Sequence, residues 1–221
     1  MSLSRVLVFG LTAVACLSLG GLVADTQAAT VTYSATTSLS PYLNAPYTFP
    51  SAPLPKFDVP GGCLSSVCLR LEGQAFGFIS IENFEAFPKL VTVTWGGQFN
   101  LLRPSLTSLL STTATLTKPY SLTSFDGGVD YAGTSGVTES GLAAAGADSV
   151  CTSSAADLAL FSGPGTISLP CVATNISTHN GANSWSFGVL ALAKVDVTYT
   201  YSICSTPVKP TTWGRVKNMY R

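Results

Sequence analysis

Hydrophobic and polar residues alternate through much of the chain, most clearly near its end. From Phe187 the odd positions read Val189, Ala191, Ala193, Val195, Val197, Tyr199, Tyr201 and Ile203, while Lys194, Asp196, Thr198, Thr200 and Ser202 take the even ones. A period of two sends successive side chains to opposite faces, so this stretch is a strand with one buried face. Strands mostly run about 3–10 residues, so a bulge or bend is expected near Leu190–Lys194, where Leu190 and Leu192 break the polar phase. Thr30–Thr36 alternates in the same way, with Val31, Tyr33 and Ala35 on one side. Val67, Leu69 and Leu71 oppose Cys68, Arg70 and Glu72, and Gly73 marks a break. Ala75–Ile81, Lys89–Trp95 and Thr115–Leu122 read as further strands, and Gly96-Gly97 as a hairpin turn.

The segments between them carry turn chemistry. Ser38–Pro55 holds five prolines, which remove ladder donors and confine it to extended loop or edge strand. Pro60-Gly61-Gly62 makes a turn. Ser124–Ser154, rich in Gly, Ala, Ser and Asp, reads as a long loop with at most one helical turn around Ser140–Gly146. Leu158–Phe161 and Thr166–Leu169 flank Ser162-Gly163-Pro164-Gly165 as a hairpin. About ten short strands with Gly- and Pro-rich connections predict an all-β fold. The expected architecture is an antiparallel two-sheet sandwich of jelly-roll-like type, with a closed β-barrel as the alternative.

The first residues change this from a fold into an address. Arg5 is followed by the apolar run Val6–Val23, then Asp25 and the small-residue site Thr26-Gln27-Ala28. That is the pattern of a secretory signal, with cleavage expected after Ala28, or after Ala29 as the runner-up. A membrane anchor is the competing reading, but Gly10, Gly20 and Gly21 weaken a run barely as long as the ~20 residues a span needs. Ala13-Val14-Ala15-Cys16 offers a second alternative, a lipoprotein box with Cys16 lipidated. The expected organisation is therefore a signal at 1–28, a sandwich domain at 29–204 and a basic tail at 205–221. The expected location is secreted or cell-surface, with a periplasmic or lipoprotein form as the alternative. No membrane span is expected after cleavage.

Charge divides along the same lines. Between Ala29 and Cys204 six basic side chains face ten acidic ones, which argues against nucleic acid as a partner. The tail carries Lys209, Arg215, Lys217 and Arg221 and no acid. Thr212 can cap a short helix there, on which Trp213, Val216 and Tyr220 form one stripe with Arg215 and Lys217 off it. A docking or sorting tag is one reading, and a frayed basic end lying on the acidic body is the plainer one.

Five cysteines follow the signal: Cys63, Cys68, Cys151, Cys171 and Cys204. Export to an oxidising compartment implies disulfides, and the spacing lacks the pattern of a zinc site. Cys151 and Cys171 flank one hairpin region and are expected to pair. Cys204 is expected to pair with Cys68 or Cys63, with a local Cys63–Cys68 bond also open. The odd count leaves one thiol, either buried and inert or available for self-association.

Candidate chemistry is sparse. His179 is the single histidine, and no Gly-x-Ser-x-Gly elbow or patterned nucleophile accompanies it. Glu82 with Glu85, and Asp126 with Asp130, are close carboxylate pairs of the kind glycosidases use, but acids in Gly-rich stretches more often form turns. No catalysis and no obligatory cofactor are expected. Asp126 and Asp130 could supply oxygen ligands to calcium. Trp95, Trp185, Tyr33 and Phe99 are the aromatics that could meet a sugar, but Trp95 has the phase of Val91 and Val93 and belongs in the core. Trp185, in an Asn/Ser-rich loop, is the better exposed candidate for a ligand.

Leu54-Pro55-Lys56-Phe57-Asp58, Gly62–Val67, Ile81-Glu82-Asn83-Phe84, Phe125–Gly136 and Val195–Tyr201 occur in an order and spacing that resemble the choice-of-anchor E domain. The resemblance spans Thr30–Ser202. It implies a bacterial exported domain held at the cell surface by C-terminal anchors that differ among members, and it implies no activity and no catalytic residues. The chain departs from that pattern in ending on the basic Trp213-containing tail. The expected role is structural or adhesive, with cell-surface polymers or glycans as partners; a carbohydrate-binding module is the alternative and a glycoside hydrolase a more distant one.

Overall fold

The computed structural model describes residues 28–50 and 53–204. The expectations for the signal segment, for Cys16, and for Trp213, Arg215, Lys217 and Tyr220 in the tail lie outside the described residues.

Among the described residues the chain forms β1 (Ala29–Thr36), β2 (Tyr47–Thr48), β3 (Pro53–Pro55), β4 (Gly62–Glu82), β5 (Lys89–Leu102), β6 (Ser108–Leu122) and β7 (Gly136–Thr152). Helix α1 (Ala155–Phe161) follows, then β8 (Thr166–Ser168), β9 (Cys171–Asn175), β10 (Thr178–Asn180) and β11 (Ser184–Ile203). One sheet has the order β1-β11-β4-β7. In the other, β5 pairs β6 along one edge and β9 and β10 along the other, with β2 beyond β9. Strands β3 and β8 form a small separate ribbon. The strand pairs within each sheet are antiparallel, and the two sheets form a sandwich that does not close into a barrel.

The core lies between the two sheets. Val67, Leu69, Leu71, Ile79 and Ile81 from β4 and the odd residues Val189–Tyr199 of β11 face Val91, Val93, Trp95, Phe99 and Leu101 of β5. Polar atoms carried into this core are satisfied. The Trp95 indole N–H donates to the Gly188 carbonyl at 3.1 Å, and the Tyr199 hydroxyl donates to the Pro55 carbonyl at 2.8 Å. Leu54 and Phe57 are buried, and Phe57 packs against Tyr199 and Tyr201, closing one end with Phe161.

Several local expectations change. Gly73 does not end a strand: β4 runs through it, and the missing side chain makes room for the Phe99 ring. Gly96-Gly97 is no hairpin. Strand β5 runs on across it, paired to β6, and residue 96 is glycine because a side chain there would run into the Ala114 carbonyl of β6. β11 is unbroken at Leu190–Lys194, where Leu190 and Leu192 lie half-buried. Its register to β4 shifts at Thr200/Tyr201 instead.

The largest differences lie between Gly136 and Ser168. Gly136–Thr152 is a long strand, not a loop or a helical turn. It passes close to β6, and a side chain at Gly146 would collide with the Thr113 carbonyl. Small residues that look like loop composition are what this approach requires. Leu158–Phe161 is helical, not a hairpin arm. Ser154 caps α1 by accepting the Asp157 N–H at 3.2 Å, and its hydroxyl donates back to the Asp157 carboxylate at 3.0 Å. Arg103 at the end of β5 then clamps Asp157 through Nε and Nη2 at 2.9 and 3.2 Å.

Replacing Gly146 by Val is expected to destabilise by about 1–3 kcal/mol through overpacking against β6, whereas Ala145→Val, on the exposed face, should change stability by less than ~0.5 kcal/mol; equal melting temperatures for the two variants would contradict the close approach. Arg103, with Thr152 and Ser154, also holds the Asp157 carboxyl below its ordinary value. A lowered folded pKa contributes stability that is present above the ordinary carboxylate range and lost as pH falls through the folded value. Asp157→Asn should therefore lose about 2 kcal/mol near neutrality, and its denaturation curves should converge with the parent's in acid; a gap independent of pH would contradict this.

Candidate functional site

One end of the sandwich gathers most of the exposed aromatic surface. The β4–β5 connection contributes Phe84 and Phe87, the β6–β7 connection contributes Phe125 and Val129, and the start of β11 contributes Trp185. Phe84 and Phe125 meet edge to face at 5.6 Å, and Lys89 Nζ lies 5.9 Å from the Phe87 ring centre.

A buried polar hub holds these connections in place. Glu82 and Asn83 close β4 and are wholly buried, as is Ser135. The Glu82 carboxylate accepts the Tyr131 N–H and the Ser135 hydroxyl, each at 2.7 Å. Asn83 donates from Nδ2 to the carbonyls of Phe87 and Thr123, and its Oδ1 accepts the Glu85 N–H. The Tyr131 hydroxyl reaches Ser184 at 2.8 Å, next to Trp185. Tyr131 itself sits at φ 56°, a conformation uncommon for a non-glycine residue. The β6–β7 connection is thus folded over the end of β4 and tied to the start of β11.

The close carboxylates take separate duties. Glu82 is sealed in the hub. Glu85 is held below the ordinary carboxylate range by Asn183 and then by Lys89, whose ammonium lies 3.2 Å from it. Asp126 accepts the Gly128 N–H at 3.2 Å, and Asp130 accepts the Ala132 N–H at 2.9 Å, each closing an Asx-type turn. The Gly128 N–H is also the main cause of a lowered Asp126 pKa. Among the described residues no three His, Cys, Asp or Glu side chains converge as a metal site.

Trp185 is placed differently from its neighbours. β11 keeps a constant register with β4 from Ser184 to Thr200, with Trp185 opposite Ile81. Trp185 therefore has the inward parity of Val189, Ala191 and Ala193, yet it is 53% exposed. The sandwich is open at this point. His179 of β10, from the opposite sheet, covers part of the indole with its ring centre 4.3 Å away, and Phe187 lies 6.2 Å from the same imidazole. Among the described residues the buried His179 Nδ1 has no hydrogen-bond partner. Beside Trp185 an open cleft of about 430 Å³ is bordered by Asn44, Thr174, Asn175, Ser177, Ser186 and Phe187. Trp95 and Phe99 are fully buried and Tyr33 is half-buried.

The cysteines correct one expected pairing and bear out another, Cys204 with Cys63. Cys151 is bonded to Cys68, not to Cys171, and Cys63 is bonded to Cys204. Sequence nearness misled because α1 and a change of sheet separate Cys151 from Cys171. Cys68 and Cys151 are opposed in the β4–β7 ladder with Cα atoms 4.0 Å apart, the close spacing of a non-hydrogen-bonded pair. Cys204 is brought to the start of β4 by its N–H donating to the Gly61 carbonyl at 2.8 Å. Cys171 is the free thiol among the described residues, 3% exposed, and burial pushes its pKa up to about 12. Of the two alternatives that the odd count left for this thiol, its placement matches the buried one.

No protein-family model matches the chain, and a search of curated proteins also gives no match. Among solved structures, the chain is 11% identical to an infectious bursal disease virus Gx strain structure, with TM-score 0.26, covering 80% of this chain and 37% of that one. An infectious bursal disease virus VP2 subviral particle gives 12% identity and TM-score 0.24, covering 80% and 38%. The chain spans less than half the length of these structures. Similarity this low carries no argument about role.

Removing the Glu82 carboxylate would leave the Tyr131 N–H and the Ser135 hydroxyl unpaired inside the protein. Glu82→Ala is expected to cost about 2–3 kcal/mol and to open Ser124–Ser135 to limited proteolysis. Unchanged stability together with unchanged protease resistance would show that the hub does not hold this connection.

Proposed function

We propose that the chain works outside the cytoplasm as a surface or matrix β-sandwich, structural or adhesive in role. The observation that carries this reading is the pair of disulfides. Cys68–Cys151 fastens β7 to β4, and Cys63–Cys204 fastens the end of β11 to the start of β4. Bonds of this kind form and persist in oxidising compartments, which agrees with the signal pattern before Ala29. They also suit a module that must survive without a cell's repair, since each typically contributes about 2–4 kcal/mol by restricting the unfolded chain.

A role in binding instead of catalysis fits how the ionisable groups are used. Arg103 pairs with Asp157, Lys118 with Glu139 and Lys89 with Glu85, while Glu82 is enclosed by its own donors. His179 packs at a tilt against Trp185. The surface that these groups leave to a partner is the aromatic end around Phe84, Phe87, Phe125 and Trp185.

Fractionation of producing cells, followed by thiol counting on the unfolded protein without reductant, tests the reading. The expected result is a chain outside the cytoplasm, starting near Ala29 and carrying one labelled cysteine, Cys171. A cytoplasmic chain with all its thiols free would overturn it.

A further inference from the structure

We propose that the Trp185 cleft binds a neutral saccharide, with a sugar ring lying on the uncovered part of the indole. This deepens the adhesive reading above and rests on it.

Three features point to that chemistry. The first is an inward-facing Trp that the sandwich leaves half exposed. Burying a large apolar side chain is stabilising, and β11 already aims Trp185 toward the interior, so the opening forgoes part of a stabilisation within reach. The second is preorganisation. The β4–β11 ladder fixes the backbone beneath the indole, and His179 packs on it from the other sheet at 4.3 Å. A rigid aromatic plane gains more from stacking than one that must be ordered on binding.

The third is the wall. Asn44, Thr174, Asn175, Ser177 and Ser186 give the cleft amide and hydroxyl groups, and among the described residues no charged side chain borders it. Among the described residues the hydrogen bonds of Asn175 engage only its Oδ1, which accepts the Ser177 N–H at 2.9 Å, so its amide N–H groups can meet a ligand. Leu43, Ala45 and Phe187 complete the wall, so polar groups and apolar surface stand together beside the indole. Uncharged donors and acceptors beside an aromatic plane match a hydroxyl-rich ring with an apolar face. An anionic polymer would call for Lys or Arg in the wall, and an apolar peptide for a wall with fewer polar groups. The cleft, at about 430 Å³, lies within the roughly 300–1,000 Å³ of small-ligand sites.

The test is titration of the secreted chain with hexasaccharides of β-1,4-glucose, β-1,3-glucose, β-1,4-xylose and β-1,4-N-acetylglucosamine, with polygalacturonate and heparin as anionic probes. At least one neutral hexasaccharide is expected to bind. Trp185→Ala should weaken that binding at least about tenfold, equivalent to ~1.4 kcal/mol, with its melting temperature near the parent's; Trp185→Tyr should retain part of the affinity. Asn44→Ala, which removes an exposed side chain on the rim, should weaken binding in a protein of parental stability and serves if Trp185→Ala does not fold. Binding of the anionic probes alone, neutral binding unaffected by both Trp185→Ala and Asn44→Ala, or no neutral binding at millimolar sugar would each overturn the proposal. A chain found outside the cytoplasm that binds none of these sugars would sink the saccharide site and leave the export reading standing.

Discussion

β11 lies antiparallel to β4 over almost its whole length, from Ser184 opposite Glu82 to Ile203 opposite Gly62. The other elements of the first sheet attach to this ladder, β1 to the free edge of β11 and β7 to the free edge of β4. Because strand side chains alternate, the register also decides what faces inward. A slip of one residue would turn Val195, Val197 and Tyr199 out and Lys194, Asp196 and Thr198 in, so the fold tolerates one register only. The same register places Trp185 on the inward side beside Ile81, and Ser184 beside Glu82. The hub and the cleft are therefore consequences of one pairing.

Covalent and polar ties secure the ladder where pairing alone is weakest. Cys63–Cys204 holds one end, where the register shifts at Thr200/Tyr201. At the other end Glu82, Asn83 and Ser135 replace a covalent tie with a closed set of hydrogen bonds, and a fully satisfied buried network is rigid. Cys68–Cys151 fixes β7, whose outer edge faces β6 across the Lys118–Glu139 and Tyr120–Glu139 contacts. Lys118 and Tyr120 both lower the Glu139 pKa, and burial together with Glu139 raises that of Tyr120. The two sheets touch at this seam through side chains and stay open at the Trp185 mouth.

Alternation made the frame legible in the sequence. β1, the start of β5 and the long β11 were evident from period-two patterns, because each has one face in the core and one in solvent. β7 was not. Its Ala143, Ala144, Ala145 and Gly146 lack the β-branched and aromatic side chains that mark strands, and at Gly146 no side chain fits because β6 passes so near. Gly73 and Gly96 are ambiguous in the sequence for a related reason: a missing side chain can end a strand or admit a neighbour, and only the tertiary structure distinguishes the two. Leu158–Phe161 of helix α1 reads as a hairpin arm in the sequence because a helix of seven residues is too short to establish a helical period. At the site, Trp185 was visible as an exposed aromatic, but its inward parity and its contact with His179 depend on a partner from the other sheet. Glu82 stood out as a carboxylate, whereas its enclosure depends on Tyr131 and Ser135, about fifty residues away. Disulfide pairing followed strand register, which cysteine spacing does not encode.

Amide hydrogen exchange along β11 tests most directly whether this ladder is the rigid floor on which the rest depends. The account predicts that amides from Trp185 to Tyr199 paired to β4 exchange as slowly as those of Val67–Ile81, protected up to the edge of the Trp185 cleft. If the amides of 185–189 exchange as fast as those of the 43–45 connection, the ladder does not hold Trp185 in place and the account fails at its foundation.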